Sequence, residues 1–104
     1  MTNGNGIKVR KRDGSLTPLN LDKIHKVVEE ACEGLGSGVS ASQVEMNSGL
    51  QFFDGIETKD IQEILVRSAS DLISLEAPNY QFVAARLLLY GVYKLVWIVT
   101  GKQL

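Results

Sequence analysis

Three lysines stand where local rules disfavour a cation. Lys11 follows Ile7 and Val9 on the apolar side of an alternating segment. Lys23 falls in the first turn of an expected helix, where the helix dipole opposes positive charge. Lys94 shares a helical stripe with Leu87, Tyr90, Trp97 and Ile98. An isolated buried ammonium is expensive, and its pKa can fall by up to ~3–5 units. An anionic ligand removes that cost. Expected helix N-termini at Asn20 and Thr58 add N–H donors suited to phosphate oxygens. Together these residues outline a phosphate pocket between a β-hairpin and the helix ends. Lysine stems also run to solvent along apolar surface. On the residues alone, an anion site and three solvated lysines are both open.

Other chemistry has less support. His25 is the only histidine and is expected at the surface or as a capping residue, not as a general base. Cys32 is the only cysteine and reads as a small core residue. One thiol allows no internal disulfide, and no CxxC pair or second histidine supports a metal site. Asp13-Gly14 is a turn signal, and neither GxxxxGK[ST] nor GxGxxG occurs. Glu29, Glu30 and Glu33 read as a solvated helix face. No catalytic set emerges.

The elements that must position the lysines fit one domain of an ordinary globular composition. The chain has 104 residues, 44% hydrophobic and 22% charged. With 11 basic and 12 acidic residues, its net charge of −1 argues against direct nucleic-acid binding. Residues 1–6 are polar and glycine-rich, without the apolar core of a signal peptide, and are expected to be a disordered lead. Residues 7–100 then form the domain. The lone thiol fits a reducing cytoplasm. Residues 82–99 are apolar, but Arg86 and Lys94 interrupt them, so a buried helix is expected rather than a membrane span.

Ile7 to Arg12 alternates as a strand, and Leu16 to Leu19 follows as a second, with Pro18 suiting an edge. A three-residue connection, Asp13-Gly14-Ser15, sets Val9 opposite Leu19 and Lys11 opposite Thr17. That register puts Ile7, Val9 and Lys11 on the inward face. A first helix runs from about Leu21 to Gly34, capped by Asn20, with Leu21, Ile24, Val27, Val28, Ala31 and Leu35 as its stripe. A second starts at Ser40, with Gln43 completing a capping box. It carries Val44, Leu50 and Phe53 inward and ends near Asp54-Gly55. Ile56-Glu57 adds a short third strand. Thr58 caps a third helix with the stripe Ile61, Ile64, Leu65, Ala69, Leu72 and Ile73. A fourth helix runs from Pro78, in its first turn, to about Val99. The fold class is α+β, a hairpin or three-stranded sheet capping four helices.

These residues resemble a known family. Lys11-Arg12-Asp13-Gly14-Ser15 and Asn20-Leu21-Asp22-Lys23-Ile24-His25 look like the opening of an ATP cone. The likeness continues in order through Glu33-Gly34-Leu35, Asp54-Gly55-Ile56, Asp60-Ile61, Ala77-Pro78 and Ala84-Ala85-Arg86-Leu87. It is greatest to the N-terminal domain of bacterial class I ribonucleoside-diphosphate reductase large subunits. The resemblance implies a sheet-capped four-helix bundle that binds ATP or dATP as an allosteric effector, with Mg2+ admissible beside the phosphates. It implies that ATP raises reductase activity and dATP lowers it, through subunit association. By position, Lys11, Lys23 and Lys94 would hold phosphates, with Arg12 as a flanking basic contact. Val9, Thr17, Asn20, Leu21, Ile24, Thr58 and Ile61 would line the nucleotide, Asn20 and Thr58 as polar contacts. Gln62 and Gly91 fall at wall positions where close relatives often have histidines, and Thr17 falls where they often have a carboxylate. The preference between ATP and dATP stays open. No cysteines or tyrosines of the family's catalytic barrel are present, so the chain is expected to regulate rather than reduce. Its partners would be the reductase catalytic domain or subunits. Leu95 to Val99 would favour a partner chain or self-association. A cone within a zinc-ribbon repressor of reductase genes, and a degenerate cone serving only assembly, are the alternatives.

Overall fold

Alternation over a few residues makes strands, and here it makes a small sheet. The computed structural model describes residues 7–11 and 13–100, with only the backbone of residues 37 and 91–100. Strands β1 (Lys8–Arg10), β2 (Leu16–Pro18) and β3 (Ile56–Glu57) are joined by helices α1 (Leu21–Cys32), α2 (Ala41–Gly49), α3 (Thr58–Asp71) and α4 (Tyr80–Thr100). The sheet order is β2-β1-β3, with β2 antiparallel and β3 parallel to β1. The α+β class is as expected. The expected disordered lead, residues 1–6, lies outside the described residues.

The hairpin register differs from the expected one. Val9 lies opposite Thr17, and Leu19 donates its N–H to the Ile7 carbonyl at 3.1 Å. Ser15 is a ladder position rather than part of the turn, because its carbonyl accepts the Lys11 N–H at 2.8 Å. Gly14 closes the connection at φ 88°, a left-handed conformation that glycine takes without strain. The slip is two residues, and side chains alternate with period two, so every inward residue stays inward. Val9 and Leu19 are buried, Lys11 and Thr17 half-buried, and Lys8 and Arg10 exposed.

Asp54 and Gly55 brace β3 onto β1. Asp54 Oδ1 accepts the Lys8 N–H and the Gly55 N–H donates to the Lys8 carbonyl, both at 2.8 Å. One core lies between sheet and helices and contains Val9, Ile56, Ile24, Val28, Ile61, Leu65, Val83 and Leu87.

Asn20 caps α1 as expected, its side chain accepting the Lys23 N–H at 3.3 Å. At the other end Arg86 Nη1 donates to the carbonyls of Ala31 (3.1 Å) and Glu33 (2.6 Å), which the helix leaves unpaired. Ser40 caps α2, and Val44 is buried as expected. Leu50 and Phe53 are corrected: they are 84% and 53% exposed. The helix stops at Gly49, and its inner row ends at buried Ser48, whose hydroxyl donates to the Val44 carbonyl at 2.7 Å. Phe52 takes the inward position beyond it. Thr58 is the first residue of α3 rather than its cap. Glu57 is the cap, and its N–H donates to Asp60 Oδ2 at 3.2 Å. Ile73 is 45% exposed because the chain has left α3 before it. Pro78 precedes α4, in a turn where its carbonyl accepts the Gln81 N–H at 3.1 Å. Among the described residues no helix is long and apolar enough to cross a membrane.

Candidate nucleotide site

The inner face of the sheet carries the first candidate group. Val9 sits at its centre, flanked by Thr17 on β2 and Ile56 on β3. Lys11 directly follows β1, two positions beyond Val9, half-buried, with its backbone N–H bonded to the Ser15 carbonyl. The parallel pairs Val9–Ile56 and Arg10–Glu57 end the sheet here, so Lys11 and Thr58 each directly follow a paired residue. Thr58 is half-buried and opens α3, whose N-terminus carries partial positive charge. An ammonium and a hydroxyl thus share this end of the sheet, beside a helix start already capped by Glu57 and Asp60.

The second group lies at the other end. β2 runs back along β1 to Leu19, and α1 begins directly after it. Asn20, Leu21 and Lys23 are all half-buried here. The two helix starts are therefore not side by side. Ile7, which accepts from Leu19, and Lys11 lie four residues apart along the chain, about 13 Å at ~3.3 Å per residue. Such a span suits an extended ligand, with four-carbon lysine stems able to lean inward from both ends.

Between them the floor is apolar. Val9 and Ile61 are fully buried and Ile24 nearly so, which makes them core beneath the surface rather than open lining. Gln62 is half-buried on α3, and its amide nitrogen donates to the Leu88 carbonyl on α4 at 3.2 Å. Gly91 and Lys94 lie on the backbone of α4. Arg12, the Lys94 side chain, the Gly91 position in the wall, and the apolar surface expected at Leu95–Val99 lie outside the described residues.

Sequence reasoning missed the setting of His25. Its Nδ1 lies 2.5 Å from Glu45 on α2 and its Nε2 3.1 Å from Glu29 on α1. The Glu45 hydrogen bond, foremost, raises its pKa above the usual histidine value. The ring is a bridge between helices rather than a base. The i,i+4 spacing to Glu29 was visible in the sequence. Glu45, 20 residues away, was not. Cys32 is half-buried against the core, and burial pushes its thiol pKa up. Among the described residues no cluster could hold a metal ion. An open groove beside α1 is lined by Glu29, Glu30 and Glu33, a charge unsuited to phosphate.

A small three-stranded sheet capping four helices, with half-buried Lys11 and Lys23 near two helix starts, defines a compact α+β module. The chain belongs to the ATP cone domain family, whose model matches residues 7–94. It is 55% identical over 86 residues to ribonucleoside-diphosphate reductase 1 subunit alpha of Escherichia coli, covering 83% of this chain and 11% of that protein. It is 50% identical over 88 residues to the alpha subunit of Haemophilus influenzae, covering 85% and 12%. Against Helicobacter pylori 26695 the identity is 44% over 97 residues, covering 93% and 12%. The chain thus spans about a ninth of the length of these relatives.

Proposed function

We propose that this chain is an ATP- or dATP-binding regulatory domain that sets the activity of a ribonucleotide reductase through subunit association. The observation that carries it is half-buried Lys11 directly after the Arg10–Glu57 pair that ends the sheet, where α3 begins at half-buried Thr58. Membership of the ATP cone family supplies the ligand class. Lys11, Lys23 and Lys94 hold the phosphates, with Arg12 beside them. Asn20 and Thr58 make polar contacts. Thr17, Leu21, Gln62 and Gly91 wall the site over the floor of Val9, Ile24 and Ile61. Its partners are the reductase catalytic domain or subunits and further copies of the cone. A ligand moves such an equilibrium only by its difference in affinity for the two assembly states.

Calorimetric titration with ATP and with dATP, with and without Mg2+, tests binding. Heat from the native chain, reduced in Lys23→Ala and Lys94→Ala, is expected. No heat with either nucleotide at millimolar concentration would sink the proposal and leave an assembly surface. Sizing the chain with and without dATP tests the link to association.

A further inference from the structure

Gln62, in the wall of the proposed site, also reaches across from α3 to α4. It sits one helical turn beyond Thr58, between buried Ile61 and the buried pair Ile64 and Leu65. Its Nε2 donates to the Leu88 carbonyl at 3.2 Å and lies 3.5 Å from that of Leu87. Both neighbours are carbonyls, which only accept, so the NH2 end of the amide faces α4. Within an α-helix those two carbonyls also serve the N–H groups of Gly91 and Val92. A side chain that takes a second lone pair there fastens α3 to α4 just before Gly91. Apolar contacts between the helices are non-directional and tolerate sliding. A directed hydrogen bond from half-buried Gln62 to the backbone of exposed Leu88 does not.

We propose that Gln62 is a positioning residue. It fixes the register of α4 against α3, and so sets the turn bearing Gly91 and Lys94 relative to Thr58 and Lys11. Its effect on binding rests on the nucleotide proposal above, while its effect on α4 does not.

The test uses the whole chain and three variants: Gln62→Leu keeps bulk without a donor, Gln62→Asn shortens the amide, and Gln62→His returns a ring N–H. Hydrogen exchange of the Gly91 and Val92 amides is followed in the free protein, with Leu65 as core reference. ATP and dATP affinities are then measured by calorimetry. Loss of one net hydrogen bond predicts exchange about five-fold faster at Gly91 and Val92 in the Leu and Asn variants, with Leu65 unchanged. Both nucleotides should weaken alike, by about five-fold, and Gln62→His should recover both readouts. Unchanged exchange in both the Leu and Asn variants overturns the clamp. Lost binding with normal exchange makes Gln62 a direct ligand contact and overturns positioning. Faster exchange with unaltered binding confines it to holding helices together, which overturns it equally. If Gln62→Leu disturbs Leu65 as well, the milder Asn variant decides. A native chain that binds neither nucleotide sinks the functional proposal, and the exchange readout then judges the clamp alone.

Discussion

The first turns of α1 and α3 carry the same two charges in opposite order. After the Asn20 cap come Leu21, Asp22 and Lys23; after the Glu57 cap come Thr58, Lys59 and Asp60. At α3 the acid is third and takes the cap's own N–H, while Lys59 is exposed and lies 3.7 Å from Glu57. At α1 the cation is third and half-buried, while Asp22 is exposed. The third position faces inward in both helices and the second outward. One start is thus closed by its own carboxylates. The other turns a lysine inward at the positive end of a helix, an arrangement an anion relieves.

The largest expected effect comes from breaking that asymmetry at the lysines. A charge-assisted contact contributes about 1.5–3 kcal/mol, so Lys23→Ala should weaken ATP and dATP by roughly 10–100-fold. Lys11→Ala should do the same from the other end of the sheet. Lys59→Ala removes the same charge from an outward position and should leave calorimetric affinity within about two-fold. Equal losses from Lys23→Ala and Lys59→Ala would mean that net charge, not inward placement, attracts the nucleotide.

The caps come next, because they act on stability without moving a charge into the site. Asn20→Ala leaves the Lys23 N–H without its acceptor and should cost about 1 kcal/mol. For a domain of this size that is a drop in Tm of about 4–8 °C. Asp60→Ala should cost less, since Glu57 remains as the cap. A larger loss at Asp60 than at Asn20 in thermal melts would reverse the ranking of the two starts.

Both helix starts were legible to within one residue, and the reason for the miss is local. Thr58 has the composition of a cap, but a carboxylate three residues after Glu57 moves the cap one position back. The hairpin shows how an error can leave a site intact. Sliding the register by two residues kept Val9, Lys11 and Thr17 on one face, because only an odd slip exchanges faces. Leu50 and Phe53 were less forgiving. Gly49, a poor helix former, is the local sign that α2 stops there, and a stripe extended past a helix end assigns inward positions that do not exist. Contacts distant in sequence were invisible altogether. Asp54 on the Lys8 N–H, Arg86 on the end of α1 and Gln62 on α4 each need the tertiary fold to bring them together.

The smallest expected effect sharpens the same contrast, since α1 also carries His25, two residues beyond Lys23. Both ring nitrogens face carboxylate oxygens, and both can donate only when the imidazole is protonated. Glu45, then Glu29, therefore raises the pKa of the folded state above the ordinary 6.5. A raised folded value stabilises fully below the unfolded one, and that stability is lost as pH rises through the folded value. Asp13 runs the other way: hydrogen bonds from Ser15 lower its pKa below 3.8, so its contribution disappears only in acid. The two windows do not overlap. Melting the native chain from pH 6 to 9 should show Tm falling by a few degrees or less, because the bridge is part-exposed and solvent screens it. The decline should shrink in high salt and vanish in His25→Gln. A decline that survives in His25→Gln would assign it to another group and leave the α1–α2 contact insensitive to pH.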